Sequence, residues 1–282
     1  MHEVINKTKS NKARIEYIEV QTNVHLHITD VGNGKPIVLI HGWPLSDEMF
    51  EYQYNALIKN NFRAIGITLR GFGKSDKPFG KYDYDIHAKD IETVLSTLEI
   101  KDAVLLGFSM GGSIAIRYVA KYNKAHVAKL ILCGAAAPLW TQRSDFKYNI
   151  TKSAVDDLIN LNDKDRPLLL SNFAKIFSAT ETSLNHGIRN WLYGIGLSAS
   201  SYATAQCLMA LRDTDLRLDL EKISIPTLIM HGKKDKICNF NLAKQMKIGI
   251  KNSQLVVFNI SGHSLFLEEV SKFNAELIKF CK

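Results

Sequence analysis

The regular alternation of short apolar segments with amphipathic ones is the feature that most constrains the fold. The apolar segments are four to six residues long and nearly continuous, which is typical of strands buried on both faces of a sheet. They occupy residues 36–40, 62–67, 103–106, 127–132, 226–230 and 255–258. Helical spacing of apolar residues marks the segments between them, at residues 47–59, 84–98, 109–122, 240–248 and 265–280. The pattern predicts an α/β protein whose mainly parallel sheet is covered by helices on both faces.

A hairpin is predicted ahead of this alternation. Over residues 24–28, apolar residues alternate with His25 and His27, which is the period-two pattern of a half-buried strand. Residues 15–20 resemble its partner in a hairpin. We expect both histidines to lie on the solvated face.

The alternation is interrupted between Pro138 and Ile223, where helical segments predominate and no clear buried strand occurs. Because this stretch lies between two strands of the pattern, we interpret it as an inserted helical cap. The predicted division of the chain is a basic N-terminal tail at residues 1–14, a core at residues 15–137 and 221–282, and a cap at residues 138–220.

The segment Gly107-Phe-Ser-Met-Gly-Gly112 matches the pattern G-x-S-x-G and lies between a predicted strand and a predicted helix. In this context the serine occupies a sharp, strained turn, and the glycines allow the strand and the helix to approach closely. The hydroxyl group is then presented at the N-terminus of a helix, where partial positive charge favours a developing oxyanion. The pattern therefore predicts Ser109 as a nucleophile.

A serine nucleophile needs a base and an acid that orients the base. In folds with this serine turn, the three residues follow one another as Ser, Asp or Glu, and His. Of the nine histidines, His263 alone lies in a loop after the last predicted strand, and Asp235 follows the preceding strand by a short turn. We expect Asp235 to hold His263 in the tautomer that accepts the serine proton. Three alternative acids precede that strand and are expected to cap helices or pair with arginines: Asp213, Asp215 and Asp219.

Two backbone N–H groups are expected to bind the oxyanion. One belongs to Met110, the residue after the nucleophile, and the other to Trp43 in the loop His41-Gly-Trp-Pro44. Pro44 has no N–H to donate. We expect the ring of His41 to stabilise this loop through hydrogen bonds and not to act as a base.

Composition argues against several other classes of protein. The net charge of +8 comes from scattered lysines without a nucleic-acid-binding pattern, so no nucleic acid is expected as a partner. No apolar stretch approaches the ~20 residues that cross a bilayer, and the first residues lack the apolar segment of a secretory signal. The histidines and the four cysteines show no metal-site spacing. We expect a cytoplasmic protein with free thiols and no metal or other cofactor, while homo-oligomer formation stays open.

Together these segments resemble the cofactor-free haloperoxidases, better described as perhydrolases, and the related aryl esterases of the α/β-hydrolase superfamily. The resemblance extends from about residue 22 to the C-terminus, and the segments occur in the family's order and spacing. They are His41-Gly-Trp-Pro-Leu-Ser46, Arg70-Gly-Phe-Gly-Lys-Ser75, Gly107-Phe-Ser-Met-Gly-Gly112, Thr214-Asp-Leu-Arg217 and Pro226-Thr-Leu-Ile-Met-His-Gly232.

The resemblance implies an α/β-hydrolase fold and hydrolysis of small carboxylic esters through an acyl-serine intermediate. Family members can also let hydrogen peroxide attack that intermediate, which yields a peracid able to oxidise halide without haem or metal. Proline at position 44 is associated in the family with perhydrolysis, and its restriction of the preceding residue would move the Trp43 carbonyl. Thr68 replaces an aspartate that is usual in the family, so the hydrogen bonds of its loop must differ. The cap matches the family less well than the core does.

Three functions are compatible with these residues. The first is a carboxylesterase for a small-molecule ester, with perhydrolase side activity. The second is a hydrolase of the same fold that cleaves a lactone or a carbon–carbon bond; dehalogenases and epoxide hydrolases are disfavoured because they need aspartate in place of Ser109. The third is a ligand-sensing protein that retains the three residues and signals to a partner, which predicts very slow turnover and an exposed apolar cap surface.

Overall fold

A central sheet of eight strands organises the part of the chain that the computed structural model describes, residues 14–122 and 125–282. The predicted N-terminal tail, apart from Arg14, lies outside the described residues. The strand order is β1-β2-β4-β3-β5-β6-β7-β8. The strands are β1 (Tyr17–Gln21), β2 (Val24–Gly32), β3 (Lys35–Ile40), β4 (Phe62–Ile67), β5 (Ala103–Phe108), β6 (Val127–Cys133), β7 (Thr227–Gly232) and β8 (Ser253–Phe258).

The sheet is parallel from β4 to β8, and the β1–β2 hairpin adds an antiparallel edge. Ile40 at the end of β3 lies opposite Gly107 near the end of β5. Phe108 at the end of β5 lies opposite Cys133 at the end of β6. The carboxyl ends of these strands are therefore side by side, and the loops that follow them meet at one edge of the sheet.

Two groups of helices pack on the sheet. One group contains α2, α3, α7 and α8, and the other contains α1, α9 and α10. In the described residues the helices are α1 (Glu51–Lys59), α2 (Tyr84–Thr97), α3 (Met110–Tyr122), α4 (Lys152–Ile176), α5 (His186–Leu197), α6 (Ser201–Asp213), α7 (Arg217–Lys222), α8 (Phe240–Gly249), α9 (Leu265–Glu268) and α10 (Val270–Cys281). The predicted α/β architecture is confirmed, and each predicted strand and helix is present at its place in the chain.

Two boundaries and one histidine differ from the predictions. The segment 47–59 begins as a 3₁₀ turn, and the segment 265–280 divides into α9 and α10 at Glu269. The prediction for His27 was wrong, because its side chain is buried, while that of His25 is exposed as expected. The contacts of its ring explain this difference: Nδ1 lies 3.8 Å from Oδ1 of the buried Asp47, and Tyr17 packs edge-on against the ring at a centroid distance of 5.4 Å.

The described segment between β6 and β7 contributes helices and no strand to the sheet. Its longest helix, α4, is kinked at Asp165, whose φ and ψ of −155° and 76° are not helical. Pro167 has no N–H and its ring crowds the preceding turn, which explains the break. The Asp165 carboxylate accepts the N–H of Leu168 at 3.0 Å and so caps the second half of the helix. That second half runs towards the loops at the carboxyl edge of the sheet.

Candidate active site

Ser109 lies in the tight turn between β5 and α3. Its φ of +54° is in the left-handed region, which costs a residue other than glycine about 1–2 kcal/mol. Hydrogen bonds stabilise the turn: the Ser109 N–H donates to the Cys133 carbonyl at 2.9 Å, and the Ser109 carbonyl accepts from Gly112 at 2.9 Å and Ala136 at 3.1 Å. The predicted strand, sharp turn and helix are therefore present, with the serine side chain at the start of α3.

The glycines around Ser109 permit close contacts between backbones. A Cβ atom at Gly107 would lie 2.3 Å from the Gly111 carbonyl oxygen, and one at Gly111 would lie 2.4 Å from the carbonyl oxygens of Ile40 and His41. Any larger side chain would force these backbone segments apart. The spacing of glycines in the sequence pattern thus reflects how closely α3 approaches β3 and β5.

Asp235 and His263 form a buried pair in the loops after β7 and β8. The Asp235 Oδ2 atom lies 2.7 Å from Nδ1 of His263. The other carboxylate oxygen accepts the N–H groups of Ile237 and Cys238, both at 2.8 Å. Burial raises the pKa of the Asp235 carboxyl, but the nearby His263 and these hydrogen bonds outweigh burial, so the pKa lies below its ordinary value. Asp235 is therefore held as a carboxylate that accepts the Nδ1 proton of His263.

Aromatic rings fix the orientation of the His263 ring. Phe108 lies against it with a centroid distance of 4.7 Å, and Phe177, the residue after α4, approaches edge-on at 5.6 Å. Nε2, on the side of the ring away from Asp235, is buried and has no hydrogen-bond partner among the described residues. An acceptor nitrogen without a partner in this position is free to take a proton from a group in the site.

The loop after β3 lies directly against the serine. A Cβ atom at Gly42 would be 2.8 Å from the Ser109 Cβ atom, so only glycine allows this contact. His41 supports the loop: its Nε2 accepts the Leu69 N–H at 2.9 Å and its Nδ1 donates to the Gly42 carbonyl at 3.0 Å. Burial lowers the pKa of His41 to about 4, so its ring is neutral near pH 7. Both ring nitrogens are engaged in the loop, as expected for a structural histidine.

The two candidate oxyanion donors flank the serine. Met110 is the first residue of α3, and Trp43 follows Gly42 in the loop. In the part of the chain that the structure describes, neither backbone N–H donates to a main-chain acceptor. The Trp43 side chain is anchored separately, because its Nε1 donates to the Thr204 carbonyl of α6 at 3.1 Å. The site therefore offers two unpaired backbone donors next to the serine, which suits an anionic oxygen.

A cavity of about 370 Å³ has Ser109 in its wall. Its size falls in the range of small-molecule sites. The remaining wall is mainly apolar and comes both from the helical segment between β6 and β7 and from the loops at the carboxyl edge of the sheet, including Trp43, Trp140, Leu158, Phe173, Leu208 and Ile237. Asn172 and Lys236 are the other polar side chains that line it. The cavity suits a molecule with a long apolar part.

Comparison with known proteins assigns the chain to a family. A family model described as alpha/beta hydrolase fold matches residues 35–270. The chain belongs to the α/β-hydrolase family. The esterase EaEST from Exiguobacterium antarcticum superposes with a TM-score of 0.92 at 44% identity, covering 94% of this chain and 98% of that one. The bromoperoxidase from Bacillus anthracis superposes with a TM-score of 0.91 at 34% identity over the same shares.

Sequence relatives carry matching names. The AB hydrolase superfamily protein YisY of Bacillus subtilis is 48% identical over 94% of this chain and 98% of its own length. A putative non-heme chloroperoxidase of Synechocystis is 33% identical over 93% of this chain and 96% of its own length. The predicted resemblance to cofactor-free haloperoxidases and esterases is confirmed.

No helix in the described ranges combines the length and apolar character needed to cross a membrane.

Some residues of this α/β-hydrolase site were not anticipated. The His231 side chain is buried, its Nε2 lies 2.7 Å from the Cys238 carbonyl and 3.4 Å from Asp235 Oδ2, and it supports the turn that presents the acid. Phe177, the residue after α4, packs on His263, although the sequence showed only that it is apolar. For His231, the one feature of the sequence that could have indicated its place beside the acid is its position four residues before Asp235.

Thr68 replaces the usual aspartate of the family and takes part in a buried network. Its hydroxyl donates to Asp47, whose carboxylate also accepts the Tyr54 hydroxyl at 2.8 Å. Burial alone would raise the pKa of Asp47, but hydrogen bonds, including those from His27 and Thr68, lower it to about 2. Because Asp47 follows the segment His41–Ser46 after β3, this network anchors the end of that loop. The alternative acids are occupied elsewhere: Asp213 pairs with Arg212, Asp215 with Arg217 and Asp219 with Arg117.

Proposed function

We propose that this α/β-hydrolase cleaves small carboxylic esters with Ser109 as the nucleophile, His263 as the base and Asp235 as the orienting acid. The observation that carries the proposal is the joint geometry of the left-handed serine turn and the buried Asp235–His263 pair with its unpaired Nε2. A serine hydroxyl is a weak nucleophile until a base takes its proton. The protein then needs no group beyond its own residues for acyl transfer.

The reaction has two halves. His263 Nε2 accepts the Ser109 proton while the serine oxygen attacks the ester carbonyl, and the N–H groups of Trp43 and Met110 bind the resulting oxyanion. The alcohol leaves with the proton from His263, which produces an acyl-serine. Water then loses a proton to His263 and attacks the acyl carbon, which releases the acid and restores Ser109.

Hydrogen peroxide can replace water in the second half. Its oxygen attacks the acyl carbon, its proton passes through His263 to Ser109, and a peracid is released. Relatives named as non-heme chloroperoxidases, and a bifunctional esterase/perhydrolase of Acinetobacter calcoaceticus at 28% identity, support this side activity.

We also propose that residues 138–220 act as a cap, because α4 and α6 supply much of the cavity wall.

The proposal is tested by hydrolysis of p-nitrophenyl acetate and butyrate by the wild type and by Ser109→Ala. We expect the substitution to lower kcat by roughly 10⁴-fold or more, because the residual rate then depends on binding and the oxyanion donors alone. Ser113→Ala is the matched control: it removes a hydroxyl from α3 that donates to the Ala136 carbonyl, so it should cost only about 1 kcal/mol of stability.

The outcomes separate the candidate functions. Equal, slow hydrolysis by wild type and Ser109→Ala would refute Ser109 as the nucleophile. A single slow burst in the wild type, absent from the variant, would favour the sensing function over turnover. Perhydrolysis is then measured as bromination of monochlorodimedone in acetate with bromide and hydrogen peroxide, which Ser109→Ala should not support.

A further inference from the structure

The mouth of the Ser109 cavity carries hydrogen-bond donors and positive charge. Ser109 is only 6% exposed, whereas Asn172 and Lys236, the other polar residues of the lining, are both exposed. The cavity therefore runs from the buried serine along an apolar wall to a polar rim. Asn172 lies on α4 of the proposed cap and Lys236 in the turn after β7, so the rim is built from both sides.

A second lysine lies beside this rim. The Lys175 ammonium donates to Oδ1 of Asn172 at 3.4 Å, so a second positive charge stands next to the lining, and the amide of Asn172 retains two N–H donors. Within the described ranges, the lysines with a carboxylate partner lie elsewhere, at Lys74, Lys121, Lys152, Lys222 and Lys272. No acidic side chain lines the cavity in the part of the chain that the structure describes. The rim thus offers the Lys236 ammonium and the Asn172 amide, with the Lys175 ammonium beside them.

We propose that this rim binds a carboxylate, and that the preferred substrates are esters bearing a carboxylate at the far end of an apolar chain. The inference rests on the proposed function, since the ester carbonyl must lie at Ser109. The apolar wall then covers the chain, and the carboxylate pairs with Lys236 in the lining and attracts Lys175 beside Asn172. A neutral ester would fill the same wall but give neither ammonium group a carboxylate partner.

The size of the effect follows from the exposure of the lysines. Ion pairs at solvated positions contribute little to the free energy of binding. Each lysine should therefore account for about a two- to fivefold preference for the anionic ester over the neutral one. Salt weakens such pairs, because the screening length falls from about 30 Å at 0.01 M to about 3 Å at 1 M ionic strength. The preference should therefore shrink as salt is added, whereas burial of the apolar chain should not weaken in this way.

The test compares matched esters. One arm uses mono-p-nitrophenyl esters of linear dicarboxylic acids from adipate to sebacate, each against the neutral p-nitrophenyl ester of equal chain length. A second arm places the carboxylate on the alcohol, using acetate esters of ω-hydroxy acids against those of simple alcohols. The measured quantity is the ratio of kcat/KM for the anionic ester to that for the neutral ester.

We expect a wild-type ratio above 1 for at least one chain length in one arm. Lys236→Met should lower this ratio about two- to fivefold, and the double variant with Lys175→Met should lower it further. Lys236→Arg should retain it. Lys234→Met is the matched control, because this lysine lies in the same turn but does not line the cavity, and it should leave the ratio unchanged.

Three results would overturn the inference. The first is a ratio at or below 1 at every chain length in both arms; the second is a ratio that the lysine substitutions do not change; the third is a ratio insensitive to added potassium chloride. Each would leave the proposed function standing, provided that neutral esters are still hydrolysed through Ser109. If the wild type hydrolyses neither kind of ester, the proposed function itself fails and this inference fails with it.

Discussion

At Asp235, one carboxylate receives hydrogen bonds on both oxygens. Two backbone N–H groups hold Oδ1, and Oδ2 faces Nδ1 of His263 at 2.7 Å. In the proposed reaction, a buried carboxylate in this position stabilises the imidazolium form that His263 adopts after it takes the serine proton. It also keeps the proton of the neutral ring on Nδ1, so that Nε2 can accept.

Replacing Asp235 by asparagine removes the negative charge but retains the size of the side chain. The amide can donate to Nδ1 and hold the proton on the wrong nitrogen. We therefore expect Asp235→Asn to lower kcat for p-nitrophenyl butyrate roughly 10³- to 10⁴-fold, with a smaller change in KM. Steady-state kinetics near pH 7.5 measure this.

Asp215→Asn is the control, because Asp215 pairs with Arg217 at the surface and is one of the aspartates considered as an alternative acid. Its substitution should leave kcat unchanged. A loss of activity in Asp215→Asn comparable with that in Asp235→Asn would contradict the assignment of the acid.

Among the elements, the second half of α4 has the closest connection to the site. Phe173 packs edge-on against Trp43 in the loop after β3 with a centroid distance of 5.2 Å, and Phe177, the residue after α4, packs on His263. Phe173 also lines both the main cavity and a side cavity of about 30 Å³ beneath Pro44 and Leu45. Its ring is thus a partition between two apolar spaces.

Removing that partition should change the chain length that the enzyme prefers. Phe173→Ala joins the side cavity to the main one. Each additional CH₂ group of the substrate that is buried there contributes about 0.8 kcal/mol to the free energy of binding. We expect the ratio of kcat/KM for p-nitrophenyl decanoate to that for the butyrate to rise about tenfold or more, since a few additional CH₂ groups become buried. Leu158→Ala enlarges the main cavity from the same helix without touching the side cavity, and it should raise the ratio less. An equal rise in both variants would refute the role of Phe173 as a partition.

For the whole molecule, buried neutral histidines link stability to pH. Burial lowers the pKa of His41 to about 4 and, together with the charge of Arg70, lowers the pKa of His87 to about 3. In the unfolded chain both would titrate near 6.5. Between these values the unfolded state binds more protons than the folded state, so the free energy of unfolding falls as pH falls below about 6.5. The pKa of Asp47 is lowered to about 2, so this carboxylate loses its contribution to the free energy of unfolding only below about pH 4.

The protein should therefore be less stable at pH 5 than at pH 7, by about 2 kcal/mol for each of the two histidines. Urea denaturation at the two pH values measures the difference. In His87→Gln the free energy of unfolding should be lower at pH 7, but its loss between pH 7 and pH 5 should be smaller by about 2 kcal/mol. The same pH-dependent loss in the variant and in the wild type would show that His87 is not the source.

The fold and the serine turn were predictable because their sequence patterns are local. The strand runs and helical periodicities each lie within one short segment, and Gly107, Ser109 and Gly111 are close along the chain. Ser109, Asp235 and His263 could be proposed because each follows a predicted strand, and parallel strands bring their carboxyl ends to one edge. The burial of His27 was missed because Asp47, which lies against its ring, is distant in sequence.

The tertiary structure alone decided which residues line the cavity and what surrounds the proposed catalytic groups. Phe177 packs on His263, the Thr68 hydroxyl donates to Asp47, and Asn172 and Lys236 line one cavity, although these segments are far apart in the chain. Periodicity reports only whether a side chain faces a core, not which partner it meets there. Strand order and the path of the kinked α4 determine those partners, because they depend on how whole elements pack together.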